Sequence, residues 1–138
     1  MTTRRVVIDH LTVGVSDLET SRRFYSQALE PLGFGEIGPW SAARREISFG
    51  LEDANDFAIS QEYEVGGQLH IAFAAKTRAQ VDAFHTAALA AGGRDNGQPG
   101  PRPEYAENYY GAFVLDPDGH NVEAVCHAPD HPNAPSSR

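Results

Sequence analysis

The sequence has one cysteine, one methionine and a shortage of positive charge. A single cysteine, Cys126, rules out an intramolecular disulfide bond. Eleven Lys and Arg against nineteen Asp and Glu give a net charge of −8, which argues against nucleic-acid binding, because such proteins present a basic face. The start "MTTRRVVIDH" lacks the apolar stretch of a signal peptide, and no apolar run is long enough to span a membrane. We therefore expect a soluble, cytoplasmic protein with neither a nucleic-acid nor a membrane partner.

The remaining composition is that of one globular domain, with 138 residues, 41% of them hydrophobic and 22% charged. Its last apolar stretch, "GAFVLDPDGHNVEAVCH" at residues 111–127, carries Glu123 inside a predicted buried strand. An isolated buried carboxylate is costly, so Glu123 requires a cation, a hydrogen-bond donor or a metal ion as its partner.

Hydrophobic patterning predicts two successive modules, each with the order βαβββ. The segments of the first module are "RRVVIDHLTVGV", "SDLETSRRFYSQALEPLGF", "ARREISFGL" and "DFAISQEYE". Those of the second are "GQLHIAFAA", "TRAQVDAFHTAALAAGG", "YYGAFVL" and "HNVEAVCH". The Gly- and Pro-rich residues 94–108 are predicted to form a long loop, whose role stays open. The result is an α+β domain at residues 4–128, made of modules 4–64 and 65–128, with a flexible tail at 129–138.

The two predicted modules share a residue repeat. His10 and His70 lie 60 residues apart, and each lies on the less apolar side of its strand. Four further pairs keep this offset: Phe24 and Phe84, Ala28 and Ala88, Leu29 and Leu89, and Gly33 and Gly93. The repeat predicts a pseudo-twofold structure in which the two histidine strands occupy equivalent places.

Three polar residues are candidate metal ligands. If the two halves pack symmetrically, His10, His70 and Glu123 converge on one cavity, and the position equivalent to Glu123 in the first half is Ala58. Two imidazoles and one carboxylate, with coordination positions left open, suit a divalent ion such as Fe, Mn, Ni or Zn. The competing interpretation is structural, because a histidine on a strand is more often a hydrogen-bonded interior or surface residue than a ligand.

One tyrosine is a candidate catalytic residue. Tyr109 and Tyr110 are adjacent in a strand, so one should face the cavity and the other the helices. Phe113 and Leu115 share the side of Tyr109 and are predicted to face the core, which assigns Tyr110 to the cavity. There it could donate a hydrogen bond to a metal-bound oxyanion, or it could simply fill space.

The stretch from "IDHLTVGVSDLETSRRFYSQALEPLGF" to "FVLDPDGHNVEAV" resembles the vicinal oxygen chelate superfamily. This superfamily holds glyoxalase I, extradiol dioxygenases, fosfomycin-resistance enzymes and bleomycin-resistance proteins. The resemblance implies paired βαβββ modules that form a curved mixed sheet around a metal cavity, with ligands at His10, His70 and Glu123. It also implies a homodimer, since many relatives complete or line the cavity with two chains.

The resemblance leaves two classes of function open. Ala58 stands where glyoxalase I enzymes typically carry a fourth ligand, so the site is more similar to the two-histidine, one-carboxylate site of extradiol dioxygenases. We expect a small metal-dependent enzyme acting on a small substrate that chelates the ion through adjacent oxygens, by isomerisation, ring cleavage or addition to an epoxide. The alternative is a binding protein that sequesters an antibiotic or metabolite without chemistry; the acidic charge suits a cationic antibiotic.

Overall fold

The structure, a computed structural model, describes residues 8–41, 45–52 and 54–129 of the chain. Residues 4–7 of the predicted first module and 130–138 of the predicted tail lie outside this part. The helices and strands within it are β1 Leu11–Gly14, α1 Leu18–Leu29, a 3₁₀ helix Glu30–Leu32, β2 Gly35–Ser41, β3 Glu46–Gly50, β4 Phe57–Ser60, β5 His70–Ala74, α2 Arg78–Ala90, β6 Arg94–Pro101, β7 Tyr110–Leu115 and β8 Asn121–Cys126. The predicted α+β class with two tandem βαβββ modules is confirmed. The module boundary at 64/65 falls between β4 and β5 and stays a prediction.

The strands form two four-stranded mixed sheets, in the orders β1-β4-β3-β2 and β5-β8-β7-β6. β1 runs parallel to β4, and β5 runs parallel to β8. The other neighbouring strands in each sheet are antiparallel. The register repeats as well. Thr12 pairs with Ala58 and Ala72 pairs with Glu123, while Thr12 and Ala72 are separated by the repeat distance of 60 residues. Ala58 therefore occupies the position equivalent to Glu123.

The prediction of a loop at residues 94–108 is wrong for residues 94–101. Residues 94–101 form β6, and the connection to β7 is confined to residues 102–109. β6 lies at the outer edge of its sheet, where a strand needs only one hydrogen-bonded partner and tolerates Gly and Pro. Its pairing with β7 is irregular around Gly97 and Gly100. A Pro- and Gly-rich edge strand has the composition of a loop, which explains the misassignment.

The helices begin at side-chain caps. Asp17 caps α1 by accepting a hydrogen bond from the backbone N–H of Thr20, at 2.9 Å. Thr77 and Gln80 form a capping box at the start of α2. Within the part of the chain that the structure describes, no helix is both long and apolar enough to cross a membrane.

Both sheets bury their helix-facing sides in one common core. The core includes Phe57 and Val13 of the first sheet, Val114 and Val122 of the second, and the helix residue Phe84. Strands alternate their side chains between two faces, so the other face of each sheet points away from this core, toward the outside of the molecule. β1 and β5 each lie at the edge of their sheet. The two outer faces, rather than the core between the modules, carry the candidate ligands.

Candidate functional site

Glu123 lies on the outer face of the second sheet, and its side chain is fully buried. Its Oε1 lies 2.8 Å from Nε2 of His70, which donates to it in the Nε2–H tautomer. Its Oε2 accepts a hydrogen bond from the hydroxyl of Tyr109. Each oxygen of the buried carboxylate thus has a donor, which offsets the cost of removing it from water. These are the partners that the sequence required.

The strand register brings His70 and Glu123 together. Ala72 of β5 pairs with Glu123 of β8, and His70 precedes Ala72 by two residues on the same face. On the other side of β8, Phe113 of β7 is the direct cross-strand partner of Glu123. The imidazole of His70 is half exposed, with a relative side-chain accessibility of 51%, so the pair is buried at one end and open at the other.

A glycine makes room for the contact between Tyr109 and Glu123. Gly111 lies two residues after Tyr109 on the same face of β7. A Cβ at this position would lie 3.0 Å from Oε2 of Glu123 and 3.3 Å from Cε1 of Tyr109. Burial, followed by the hydrogen bond to Glu123, raises the pKa of Tyr109 well above its ordinary range. The phenol therefore keeps its proton and serves as a donor to the carboxylate.

The two adjacent tyrosines point the opposite way from the prediction. The hydroxyl of Tyr110 donates to Oδ1 of Asp82 on α2, at 2.7 Å, and the guanidinium of Arg78 lies 4.8 Å from the centre of its ring. Tyr110 therefore faces the helix layer, and the prediction that it faces the cavity is wrong. The error came from assigning the larger apolar residues to the core, whereas the small residues Ala112 and Val114 fill it.

His10 lies apart from the other two predicted ligands. It immediately precedes β1, its side chain is 60% exposed, and its Nδ1 lies 2.8 Å from Oδ1 of Asp9. His10 and His70 belong to different sheets, His10 just before β1 and His70 at the start of β5. Among residues 8–41, 45–52 and 54–129, no group of three or more His, Cys, Asp or Glu side chains is arranged to hold a metal ion. The expected convergence of three ligands does not occur within one chain.

The pair of His70 and Glu123 fits a divalent ion in its chemistry but not in its number of ligands. An imidazole nitrogen and a carboxylate oxygen are ligands that Fe, Mn, Ni and Zn accept. Binding at Nε2 of His70 would replace the proton that this atom donates to Glu123. Catalytic sites for such ions usually have three protein ligands, so the second sheet of one chain supplies a partial site.

Aromatic side chains surround this partial site. The ring of Phe113 lies 6.0 Å from that of His70, and the guanidinium of Arg102 lies 5.5 Å from the centre of Phe113. Tyr105 contacts the edge of Tyr109, with ring centres 5.1 Å apart. The sequence pattern did not indicate that Arg102 and Tyr109 lie beside this site. Only the correct strand parity could have indicated Tyr109, and no pattern in the Pro-rich segment singles out Arg102.

Residues 7–124 match the model of the family described as Glyoxalase/Bleomycin resistance protein/Dioxygenase superfamily. The chain belongs to this superfamily. Among its members, the Bacillus subtilis protein named "Uncharacterized protein YqjT" is 31% identical over 122 residues, which cover 84% of this chain and 95% of that protein. The resemblance to the vicinal oxygen chelate proteins is thereby confirmed.

Solved structures of the superfamily share the fold. A glyoxalase/bleomycin resistance protein from Albidiferax ferrireducens is 33% identical and superimposes with a TM-score of 0.69, over 85% of this chain and 95% of that one. Glyoxalase I from Zea mays is 23% identical, with a TM-score of 0.62 over 86% of this chain and 45% of that chain. The second likeness shows the fold alone.

An apolar cavity lies beside the edge strands β1 and β5, and its lining includes Ala72, the cross-strand partner of Glu123. Its volume is about 280 Å³, and its lining includes Leu11, Phe34, Phe57, Ile71 and Phe73. Neither His70 nor Glu123 lines it. The cavity is therefore mostly apolar, with Asp56 as a charged residue in its lining.

Proposed function

We propose that this chain forms a homodimer that acts as a small metal-dependent enzyme on a substrate with two adjacent oxygens. His70 and Glu123 of one copy would hold the ion together with His10 of the second copy. The observation that carries the proposal is the 2.8 Å contact between Nε2 of His70 and Oε1 of the buried Glu123. A buried carboxylate that meets a half-exposed imidazole gives two adjacent metal-ligating atoms, of which the imidazole reaches the open face.

The edges of the two sheets support the dimer. β1 and β5 are edge strands. On one side of each, the backbone N–H and C=O groups therefore have no hydrogen-bonded neighbouring strand within the sheet. Ile8 and Leu11, at the β1 edge, are exposed apolar residues. Association of β1 of one copy with β5 of the other would cover both edges, and a twofold axis would create two such junctions. Each junction would join a His10 to a His70–Glu123 pair.

His70 and Glu123, with His10 of the second copy, would hold an ion that could supply Lewis-acid polarisation to two adjacent substrate oxygens. The buried carboxylate of Glu123 contributes negative charge and is held in one orientation by Tyr109. Ala58 supplies no fourth ligand from the first module, which separates this site from the usual ligand set of glyoxalase I. Isomerisation, ring cleavage with dioxygen and addition to an epoxide all remain compatible with this set.

Metal content tests the proposal. Purified wild-type protein should contain close to stoichiometric divalent ion, and the variants His70→Ala, Glu123→Gln and His10→Ala should lose tight binding. His85→Gln is the matched control, because His85 is bonded to Asp95 on the helix side and has no part in the site. Stoichiometric metal retained in His70→Ala would contradict the proposal.

A second candidate is a binding protein that sequesters a small molecule without chemistry. Two observations favour it: the apolar cavity, and the fact that His70 and Tyr109 already satisfy Glu123 without an ion. Metal-free protein that binds a cationic aromatic ligand tightly would support this candidate over the enzyme.

A further inference from the structure

Arg102 is held in a fixed place beside the candidate metal site. It directly follows β6, and its backbone N–H donates to the carbonyl of Tyr109, at 2.7 Å. Its own carbonyl accepts from the N–H of Tyr105, at 3.0 Å. These bonds close the 102–109 connection into a compact turn. Arg102 at the start of the turn is thus hydrogen-bonded to Tyr109 at its end, and Tyr109 in turn contacts Glu123.

The guanidinium of Arg102 is oriented but not neutralised. Its Nη2 donates to the carbonyl of Gln98, at 2.7 Å, and its Cζ lies 5.5 Å from the ring centre of Phe113. In the part of the chain that the structure describes, no carboxylate forms an ion pair with it. Among the described residues, the guanidinium makes one further, long contact of 3.4 Å, from Nη1 to the carbonyl of Pro101. Most of its N–H donors are therefore left for another acceptor.

Glycines in β6 clear the space around this cation. A Cβ at Gly100 would lie 3.2 Å from Nη1 of Arg102, and one at Gly97 would lie 2.8 Å from the ring of Phe113. Gly97 pairs with Phe113 across the sheet, so no side chain of β6 separates the aromatic ring from the outside at that point. Arg102 and Phe113 thus form an open surface of one planar cation and one aromatic ring.

This surface is continuous with the metal ligands. Phe113 is the cross-strand partner of Glu123, and its ring centre is 6.0 Å from that of His70. Burial and Glu123 raise the pKa of Tyr109, and the positive charge of Arg102 acts in the opposite direction, as expected for a cation nearby. His70, Phe113 and Arg102 therefore form a row on one face of the second sheet.

We propose that Arg102 binds a carboxylate of the substrate, while the planar part of the substrate lies on Phe113 and its two adjacent oxygens reach the end marked by His70 and Glu123. This inference rests on the proposed metal-dependent function and adds the class of substrate, a small planar organic acid. A guanidinium presents parallel N–H groups that match the two oxygens of a carboxylate. An uncovered cation in a chain of net charge −8 selects against a cationic ligand at this face.

A pair of probes that differ only in charge tests the inference. 3,4-Dihydroxybenzoate and 3,4-dihydroxybenzamide share the two adjacent oxygens and the ring, but only the first carries a carboxylate. Calorimetry on wild-type protein should show at least about tenfold tighter binding of the acid, the discrimination expected for one charge-assisted hydrogen-bonded pair. Arg102→Gln should remove this preference, and Arg102→Lys should restore part of it. Arg94→Gln, an exposed arginine in the same strand β6, is the matched control and should keep the preference.

The outcomes separate this inference from the metal proposal. Metal content is measured for every variant, and each titration is repeated with Mn(II) added and with a chelator added. Arg102→Gln should keep the metal content of wild type. Wild-type protein without metal would overturn the proposed function, yet a preference for the acid that only Arg102→Gln abolishes would still support the carboxylate site. Equal affinity for both probes, no measurable binding of either, or a preference kept in Arg102→Gln would overturn the inference.

Discussion

Tyr109 donates its hydroxyl proton to Oε2 of Glu123, the carboxylate oxygen opposite to the one that contacts His70. The tyrosine and the histidine therefore hold the same buried carboxylate from two sides. Oε1 is held by the imidazole of His70, whose half-exposed ring forms the open end of the site. The first predictions concern this arrangement.

Replacing Tyr109 by Phe removes the donor to Oε2 and leaves a buried acceptor unsatisfied. The free energy of unfolding should fall by about 1–3 kcal/mol, as measured by urea denaturation. Metal affinity should fall about 10- to 100-fold, because groups that orient a ligand typically contribute this much. Tyr105→Phe is the control, since Tyr105 packs on the ring of Tyr109 without bonding to Glu123. Unchanged stability and metal affinity in Tyr109→Phe would show that the hydrogen bond is not made.

The common core predicts a stability effect that crosses the two modules. Tyr25 of α1 is fully buried, and its hydroxyl donates to Oδ2 of the buried Asp116, 2.5 Å away, at the end of β7. Tyr25→Phe should lower the free energy of unfolding by about 1–3 kcal/mol, because the acceptor stays buried without this donor. A single unfolding transition should persist. Two separate transitions in wild-type protein would contradict one core.

A further prediction concerns acid. His85 on α2 hydrogen-bonds Asp95 on β6 at 2.9 Å, and this bond, with help from the N–H of Gly97, lowers the pKa of Asp95 below its ordinary value of 3.8. Because the folded-state pKa is the lower one, the stabilisation is fully present above pH 3.8 and is lost as the pH falls through the folded-state pKa. Asp95→Asn should therefore lose stability at neutral pH and show a weaker decline in acid.

Urea denaturation at several pH values from neutral down to about 3 measures this difference, since that range spans the titration of an Asp with a lowered pKa. Glu104→Gln provides the control, because Glu104 is an exposed carboxylate of the 102–109 turn. Parallel pH profiles for Asp95→Asn and wild type would rule out the proposed contribution.

The proposed dimer predicts that a charge at the β1 edge dissociates it. Ile8 is 75% exposed in the single chain, so Ile8→Asp should cost the monomer little. In the dimer the charge would be buried, and the dissociation constant should rise at least about tenfold, given about 1.5–3 kcal/mol for burial of an Ile side chain. Leu89→Asp, at a 37% exposed position on α2, should leave the dimer intact. Sedimentation velocity measures the dimer dissociation constant of both variants. If Ile8→Asp and Leu89→Asp changed it equally, the interface would lie elsewhere.

Strand periodicity and the 60-residue repeat were enough to predict the two modules, whereas His70 and Glu123 were predicted as metal ligands together with His10 and not as a hydrogen-bonded pair. Alignment of the closing strand with its copy in the first half, at an offset of 65 rather than 60 residues, located Ala58 correctly, because strand register follows from the alternation of buried and exposed side chains. The pairing of His70 with Glu123 needed only that β5 and β8 be neighbours. Each of these features lies within one module.

Other features depend on how the modules pack and could not be inferred from pattern. His10 precedes β1 of the first sheet and His70 begins β5 of the second, and no sequence pattern says how the two sheets are placed relative to each other. The orientation of Tyr110 depended on which face of β7 is apolar, and Phe113 on the outer face misled the assignment. β6 looked like a loop because an edge strand tolerates Gly and Pro.

In the proposed dimer each metal site is shared by two copies, and a mixed dimer distinguishes this arrangement from a site within one chain. The variants His10→Ala and His70→Ala carry different tags, are expressed together, and the heterodimer is isolated with both tags. Each homodimer should lack tight metal binding. The heterodimer should bind about one ion, because one of its two twofold-related junctions then joins an intact His10 to an intact His70 and Glu123. A heterodimer as devoid of metal as the two homodimers would contradict a site shared across copies.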